Sequence, residues 1–545
     1  MVRNSFKTGV LGRASALAVT AALGGSLLFG AAVPVPAYAA DGTVTITSAQ
    51  EGVSYDAYCV FTADVDNSNN AANVAWSAQA EANKTELIKW LKSKGYGEWL
   101  VQNGYDKPDA AENPQNALEF IGAKIAESGN SNTAIAGKDS FAKQFGTWAK
   151  KNLASSGTAN AGAVFTAPEG YYLFISRQDS LNGKVGTAPI WFPLGGSAIT
   201  IAEKASTPTV DKNIGDGTDN AGDYEIGDTV PFKITATLPS NYDAYEKYAV
   251  KIVDTPSAGL AIDLNSVTVK AGADSLDGVA KLDGTKLVVE IADLKAAAPA
   301  ATKDSKIMVS YTATLTKDAQ TTPGANKNGV TYTFSNNPTN SGEGTQAPDP
   351  TIPGTEVPDP TPNKVYTYQF DLSKVDKHTK EEIPGAVFAV QNDKGEFYNT
   401  ATRDWDKVKL DSLAAANKLT TNAQGVITVN GIASGMYTIT EVEAADHYSK
   451  PADPIRLPRT VAYNEDGTIK ADASKVSATG STALLDGNAA AFDATDGKVT
   501  LTVVNDKNVA LAMTGAEGVG LGGAAVLAIG LGWYLVRRRK QEQQA

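Results

Sequence analysis

A lysine, a carboxylic acid and an asparagine recur twice along this chain, each closing an alternating apolar run. Phe370 and Leu372 point to one face, and the next residue on that face is Lys374. Tyr437 and Ile439 lead in the same way to Glu441, and Leu501 and Val503 lead to Asn505. Upstream, Val210 leads to Lys212, Val250 and Ile252 lead to Asp254, and Val330, Tyr332 and Phe334 lead to Asn336, with Asn337 as a competing acceptor. A lone buried lysine or acid costs several kcal/mol unless it is neutralised or paired. Together the three groups can react. Desolvation lowers the lysine pKa and makes a neutral, nucleophilic amine. Desolvation raises the carboxyl pKa, so a protonated Asp254 or Glu441 can hydrogen-bond the asparagine carbonyl and make its carbon electrophilic. Proximity lowers much of the remaining barrier. The amine attacks the side-chain carbonyl, ammonia leaves, and an isopeptide bond joins Lys212 to Asn336 and Lys374 to Asn505. The first 204 residues show no such lysine on their opening strand, and no bond is expected there.

The elements that must hold these groups are strands. The expected fold is mainly β, with tandem immunoglobulin-like sandwiches. Residues 40–204 form a first domain, in which three helix signals interrupt the strands. Asn83 precedes Leu87, Ile88 and Leu91; Asn113-Pro114 precedes Leu118, Ile121 and Ile125; and Phe141, Phe145 and Trp148 share a helical face. Residues 205–351 form a second domain, and 352–364 are a Pro- and Thr-rich linker. Residues 365–510 form a third domain. The net charge of -12 offers no basic surface for nucleic acid. The single cysteine, Cys59, is read as a core residue and excludes an intramolecular disulfide. Two histidines, His378 and His447, fall in separate predicted turns, with no Ser-His, Cys-His or metal-ligand cluster. No metal site, no cofactor and no enzymatic activity are expected. Asp64 to Ser68 fails as a calcium loop, because Asn69 stands at the glycine position and Ala75 at the twelfth.

Both ends read as processing segments. Residues 1–39 combine Arg3, Lys7 and Arg13, an apolar stretch and Ala37-Tyr38-Ala39, as a signal peptide does. Residues 511–545 hold Leu511-Ala512-Met513-Thr514-Gly515, an apolar run from Val519 to Val536, and Arg537-Arg538-Arg539-Lys540. The run, as a helix, would be about 27 Å long, enough to cross a bilayer. The cations after it would stay on the cytoplasmic side.

That C-terminal order resembles the cell-wall sorting signal of Gram-positive surface proteins, in which a sortase cleaves between Thr and Gly of an L-P-x-T-G motif. The cut would fall between Thr514 and Gly515, with Ala512 where the motif has proline. Lys374-Val375-Asp376, Gly385-Ala386-Val387-Phe388, Tyr437 to Glu441 and Val503-Val504-Asn505 resemble the collagen-adhesin B-type module. Val210-Asp211-Lys212, Val253-Asp254-Thr255 and Phe334 to Pro338 resemble the preceding domain of such pilins. Taken together, the chain resembles the sortase-assembled major (backbone) pilins. The resemblance implies that Thr514 of one subunit is joined to a lysine at the first domain junction of the next, a position Lys204 occupies after Ile199-Thr200-Ile201. It implies, as partners, pilin-class and housekeeping sortases, identical subunits, tip or basal pilins and peptidoglycan, with a host surface ligand as a further partner. It places the protein outside the cell, in a pilus anchored to the wall. A monomeric wall-anchored adhesin or accessory pilin is the alternative, and would not need Lys204.

Overall fold

The structure is a computed structural model, described for residues 41–105, 111–127, 140–181, 184–203, 205–215, 219–340, 355–480, 485 and 490–507. Lys204, the 1–39 segment and residues 511–545 with their sorting motif therefore lie outside the described residues. No helix among the described residues is long and apolar enough to cross a membrane. The chain divides into two compact units. One comprises residues up to Thr367 together with Ala462–Asp472, and the other comprises Tyr368–Val461 and the residues from Ala473 on.

The first unit opens with β1 (Asp41–Thr47) and β2 (Ser54–Val65). Val44 and Ile46 are both buried, as their alternation requires. Before the strands return as β3 (Val164–Pro168), β4 (Gly170–Ser176), β5 (Ile190–Leu194) and β6 (Ile199–Ala202), the chain makes a helical insertion. Its three expected helices are α1 (Lys84–Ser93), α2 (Pro114–Glu127) and α3 (Phe141–Asn152). Leu87, Leu91, Leu118, Ile121 and Phe145 pack on Val60, Phe61, Leu173 and Ile175 of β2 and β4. Two details differ from the sequence reading. Asn83 makes no side-chain cap, because Ala78–Ala82 is already helical and the Asn83 amide turns back to the Gln79 carbonyl at 2.9 Å. Cys59 is only half-buried, since the pairing of β2 with β4 slips between Cys59 and Phe61.

The second sandwich lies in the same unit. One sheet holds β7 (Val210–Ile214), β8 (Thr229–Thr237), β10 (Leu260–Ala271) and β12 (Lys306–Leu315), in the order β10-β12-β8-β7. The facing sheet holds β9 (Val250–Pro256), β11 (Lys286–Ile291), β13 (Asn326–Phe334) and β14 (Asn363–Tyr366), in the order β14-β13-β9-β11. Val230, Phe232, Ile234 and Ala236 of β8 are buried against Val250, Ile252, Val330 and Tyr332. The stretch read as a linker contributes strands instead: Thr355–Pro358 and β14 both pair with β13. Alternation was too short there to register: in β14 only Lys364 breaks a run of buried Asn363, Val365 and Tyr366. The sheet thus runs to Tyr366, and the second unit begins at Tyr368. Ala462–Asp472 folds onto this sandwich. Tyr463 stacks on Tyr366 with 5.0 Å between ring centroids, and the Tyr366 hydroxyl donates to the Gly467 carbonyl at 2.9 Å.

The second unit is a sandwich of its own. One sheet has the order β17-β15-β21-β20, built from β15 (Tyr368–Asp376), β17 (Val426–Ile432), β20 (Ala490–Asp493) and β21 (Lys498–Asn505). The other runs through β16 (Val387–Gln391), β18 (Gly435–Glu443) and β19 (Ile455–Thr460). Its first and last long strands, β15 and β21, are parallel neighbours from Gln369↔Lys498 to Asp376↔Asn505.

Candidate functional site

In the second unit, the three residues singled out by alternation meet in the core. Lys374 sits on β15 opposite Val503 of β21, and Asn505 lies two residues further along the same strand face. Glu441 comes from β18 in the opposite sheet. The Lys374 ammonium donates to Glu441 Oε2 at 3.0 Å, and Asn505 Nδ2 donates to Glu441 Oε1 at 3.3 Å. Both Lys374 and Glu441 are almost wholly buried, with side-chain exposures of 0% and 1%. Asn505 Nδ2 is shared with the Ser449 carbonyl at 3.1 Å, and the lysine nitrogen stands 5.7 Å from the Phe388 ring centre. Burial pulls the Lys374 pKa below the usual lysine range and pushes Glu441 above the usual carboxylate range, each only partly offset by the other. Both shifts favour the neutral amine beside the neutral acid. The backbone of Lys374 is fixed as well. Its N–H donates to Gly425, and Gly425, at φ +69°, would place a Cβ 2.5 Å from the Lys374 carbonyl oxygen.

The second sandwich holds a similar cluster with a different composition from the expected one. Lys212 of β7 donates to Asp254 Oδ2 at 2.5 Å, and both side chains have zero exposure. Burial brings the Lys212 pKa down to about 8, against the pull of Asp254. Asn336 is not there. Asp254 is paired with Val330, and β13 ends at Phe334, so six further residues carry Asn336 roughly 20 Å along the strand direction, away from Asp254. Its amide is engaged with the first domain instead: Nδ2 donates to the Leu181 carbonyl at 3.0 Å, and Oδ1 accepts from Gln178 at 3.1 Å. Asn337 donates to Gln178 Oε1 at 3.1 Å, so it too belongs to this inter-domain clamp. Asn336→Ala is accordingly expected to loosen the contact between the first two domains by about 1–3 kcal/mol, the cost of leaving its partners unpaired. The same variant should leave any ammonia loss at Lys212 unchanged. Intact mass together with thermal unfolding checks both.

The asparagines beside Lys212 are two that the sequence reading passed over. Asn328 of β13 and Asn363 of β14 face each other across the ladder, and both are fully buried. Asn363 Nδ2 donates to the main-chain carbonyl of Lys212 at 2.8 Å. Asn328 Nδ2 donates to the Tyr311 hydroxyl at 2.8 Å, and that hydroxyl donates to Asp254 Oδ2 at 2.6 Å. Asp254 Oδ1, Asn328 Oδ1 and Asn363 Oδ1 are buried without a hydrogen-bond partner among the described residues. A second acid, Asp359, is buried at the same place with its N–H on the Val330 carbonyl, and burial raises its pKa. Buried unpartnered oxygens are rare in folded proteins and ask for an explanation. With Asp359 Oδ2, also unpartnered among the described residues, four of them around one buried lysine fit a reactive cluster better than a packing role. The signal for Asn363 was present in the sequence, as Asn363-x-Val365 repeats the apolar–polar alternation of Val503-x-Asn505 in reverse.

Residues 368–477, which carry Lys374 and Glu441, match the family model of SpaA, a prealbumin-like fold domain. Among curated proteins, the trypsin-resistant surface T6 protein of Streptococcus pyogenes serotype M6 is 26% identical over 299 residues, covering 51% of this chain. The chain spans about half the length of that relative (50%). Among solved structures, the T6 backbone pilin of serotype M6 S. pyogenes superposes with a TM-score of 0.50 at 16% identity, over 86% of this chain and 98% of that one. The full-length major pilin SpaD of Corynebacterium diphtheriae gives a TM-score of 0.43 at 15% identity, over 86% and 98% of the two chains. The fold is that of the T6 backbone pilin, mainly β with a helical insertion.

Proposed function

We propose that this chain is the backbone subunit of a covalently polymerised, sortase-assembled pilus on a Gram-positive cell. The observation that carries the proposal is the pair of wholly buried lysine–carboxyl clusters, each with an asparagine at hand, in consecutive β domains of backbone-pilin fold. In this reading Lys374 is joined to Asn505 through Glu441. Lys212 is joined through Asp254 to Asn363, which lies on the last strand of its sandwich as Asn505 does on its own. Thr514 of one subunit is transferred by a pilin-class sortase to Lys204 of the next, after β6 and at the boundary of the first two domains. A head-to-tail contact of that kind is heterologous, and it propagates into a fibre when the rotation between subunits does not close a ring. The housekeeping sortase then attaches the fibre to peptidoglycan, and tip or basal pilins complete it.

The test is a blot of cell-wall extracts boiled in SDS, comparing wild type with Lys204→Ala and Thr514→Ala. A ladder of high-mass species in wild type that collapses to monomer in both variants is the expected result. A ladder that survives Lys204→Ala would move the acceptor to another lysine. A wall-bound monomer with no ladder in wild type would sink the backbone role.

A further inference from the structure

Two asparagines of the same chemistry lie beside one lysine, and only one can take it. Resting on the isopeptide reading above, we infer that Tyr311 is the positioning residue that decides between them, holding Asn328 out of the reaction and leaving Asn363 as the acceptor. The Tyr311 ring is buried and stacked on Phe232 with 5.3 Å between centroids, so the hydroxyl has a fixed place. The Lys212 nitrogen lies over both rings, 4.8 Å from the centre of Phe232 and 5.5 Å from that of Tyr311. The hydroxyl makes two bonds of opposite sense. It accepts from Asn328 Nδ2 at 2.8 Å and donates to Asp254 Oδ2 at 2.6 Å.

Each bond has a chemical consequence. Asp254 Oδ2 receives both the lysine and the phenol, so Oδ1, without a hydrogen-bond partner among the described residues, is the oxygen left to exchange a proton with the amide. Both asparagines are tethered through Nδ2, but to different groups: Asn328 to the fixed Tyr311 hydroxyl, and Asn363 to the Lys212 main-chain carbonyl, which holds it against the strand that carries the nucleophile. The neutral Lys212 amine adds to Asn363 Cγ while Asp254 gives its proton to the carbonyl oxygen. The carboxylate takes a proton from the new C–N nitrogen, the proton passes to Nδ2, the Cγ–Nδ2 bond breaks, and ammonia leaves with the acid regenerated.

The experiment is tryptic peptide mapping by tandem mass spectrometry on the full chain, after timed incubation, for wild type, Tyr311→Phe, Asn363→Ala and the double variant. In wild type the Lys212 peptide should be joined to the Asn363 peptide alone. Tyr311→Phe should slow that link at least about tenfold, as loss of alignment does, and divert part of it to Asn328. Asn363→Ala should leave Lys212 unlinked, and the double variant should join it to Asn328. A wild-type link at Asn328, a Tyr311→Phe protein linked to Asn363 alone at the normal rate, or an Asn363→Ala protein linked to Asn328 would each overturn the inference. If Tyr311→Phe does not fold, the Asn363→Ala map still decides it. An unmodified Lys212 peptide in wild type would refute the bond itself, which is a different result from a misplaced one.

Discussion

Replacement of Lys374 by alanine is expected to destabilise the second unit by about 5 kcal/mol and to retain the one ammonia that the wild type loses at this site. The size follows from chain entropy. The proposed bond would join Lys374 and Asn505 across β15 and β21, the first and last long strands of the unit, and so close nearly the whole of it into one loop. A disulfide closing a loop of roughly 130 residues stabilises by about 5 kcal/mol in the entropic model, and an isopeptide bond restricts the unfolded chain in the same way. For a domain of about 140 residues that corresponds to a fall in Tm of about 15 °C. The ammonia loss at Lys212 should be unaffected, because that cluster belongs to the first unit. Calorimetry of wild type and variant, with intact mass on the same samples, checks this. A wild type of full calculated mass, or a variant that melts with wild type, would refute it.

The second large effect is kinetic. Glu441→Gln keeps the shape of the side chain and removes its ability to transfer a proton. Lys374 and Asn505 each contact a different oxygen of Glu441, at 3.0 and 3.3 Å, so one carboxyl can take a proton from the amine and deliver one to the amide. Loss of a positioned acid–base group costs about 100- to 10,000-fold in rate. The Glu441→Gln chain is therefore expected to keep its ammonia for days where wild type loses it during or soon after folding. The sign of the pH effect is also set. The reaction needs the neutral amine, whose pKa burial lowers, and the neutral acid, whose pKa burial raises. Bond formation should slow in acid as Lys374 protonates and again in alkali as Glu441 ionises, giving a bell-shaped profile. A time course of mass after refolding at several pH values measures it. Wild-type kinetics in Glu441→Gln would remove Glu441 from the mechanism.

Alternation along strands carried most of this from the sequence. It found Lys374, Glu441 and Asn505, and it found Lys212 and Asp254, because a strand with one buried face has period two and a polar residue on that face stands out. It failed at Asn336 for a reason that also lies in the geometry. Alternation says that a polar residue adjoins an apolar run but not which end of the run meets the partner strand. In the second unit β15 and β21 are parallel, so the C-terminal ends of both runs coincide, and Lys374 meets Asn505. In the second sandwich β9 and β13 are antiparallel: Val250 lies opposite Phe334, and Asp254 opposite Val330. The C-terminal end of β9 thus meets the N-terminal end of β13, where Asn328 stands, while Asn336 is carried to the first domain. Strand direction is a property of the whole topology and leaves no mark in a short run. Asn363 was hidden by composition, since a proline- and threonine-rich stretch reads as a linker even when Thr355–Pro358 and its last two residues, Asn363 and Lys364, pair with a sheet.

The parallel neighbours β15 and β21 also fix how the second unit meets a pull on its two ends. Tension enters at the start of β15 and leaves at the end of β21, which are opposite ends of the paired strands. The ladder between them is then loaded in shear, all of its hydrogen bonds at once, and not peeled one bond at a time. A covalent strut from Lys374 to Asn505 changes the route again. Force would run along β15 as far as Lys374, cross the strut, and leave through the end of β21, so that everything between them in sequence is relieved of load. Without the strut the sheared ladder must hold the whole pull; with it, the same ladder is a reserve that need not be drawn upon.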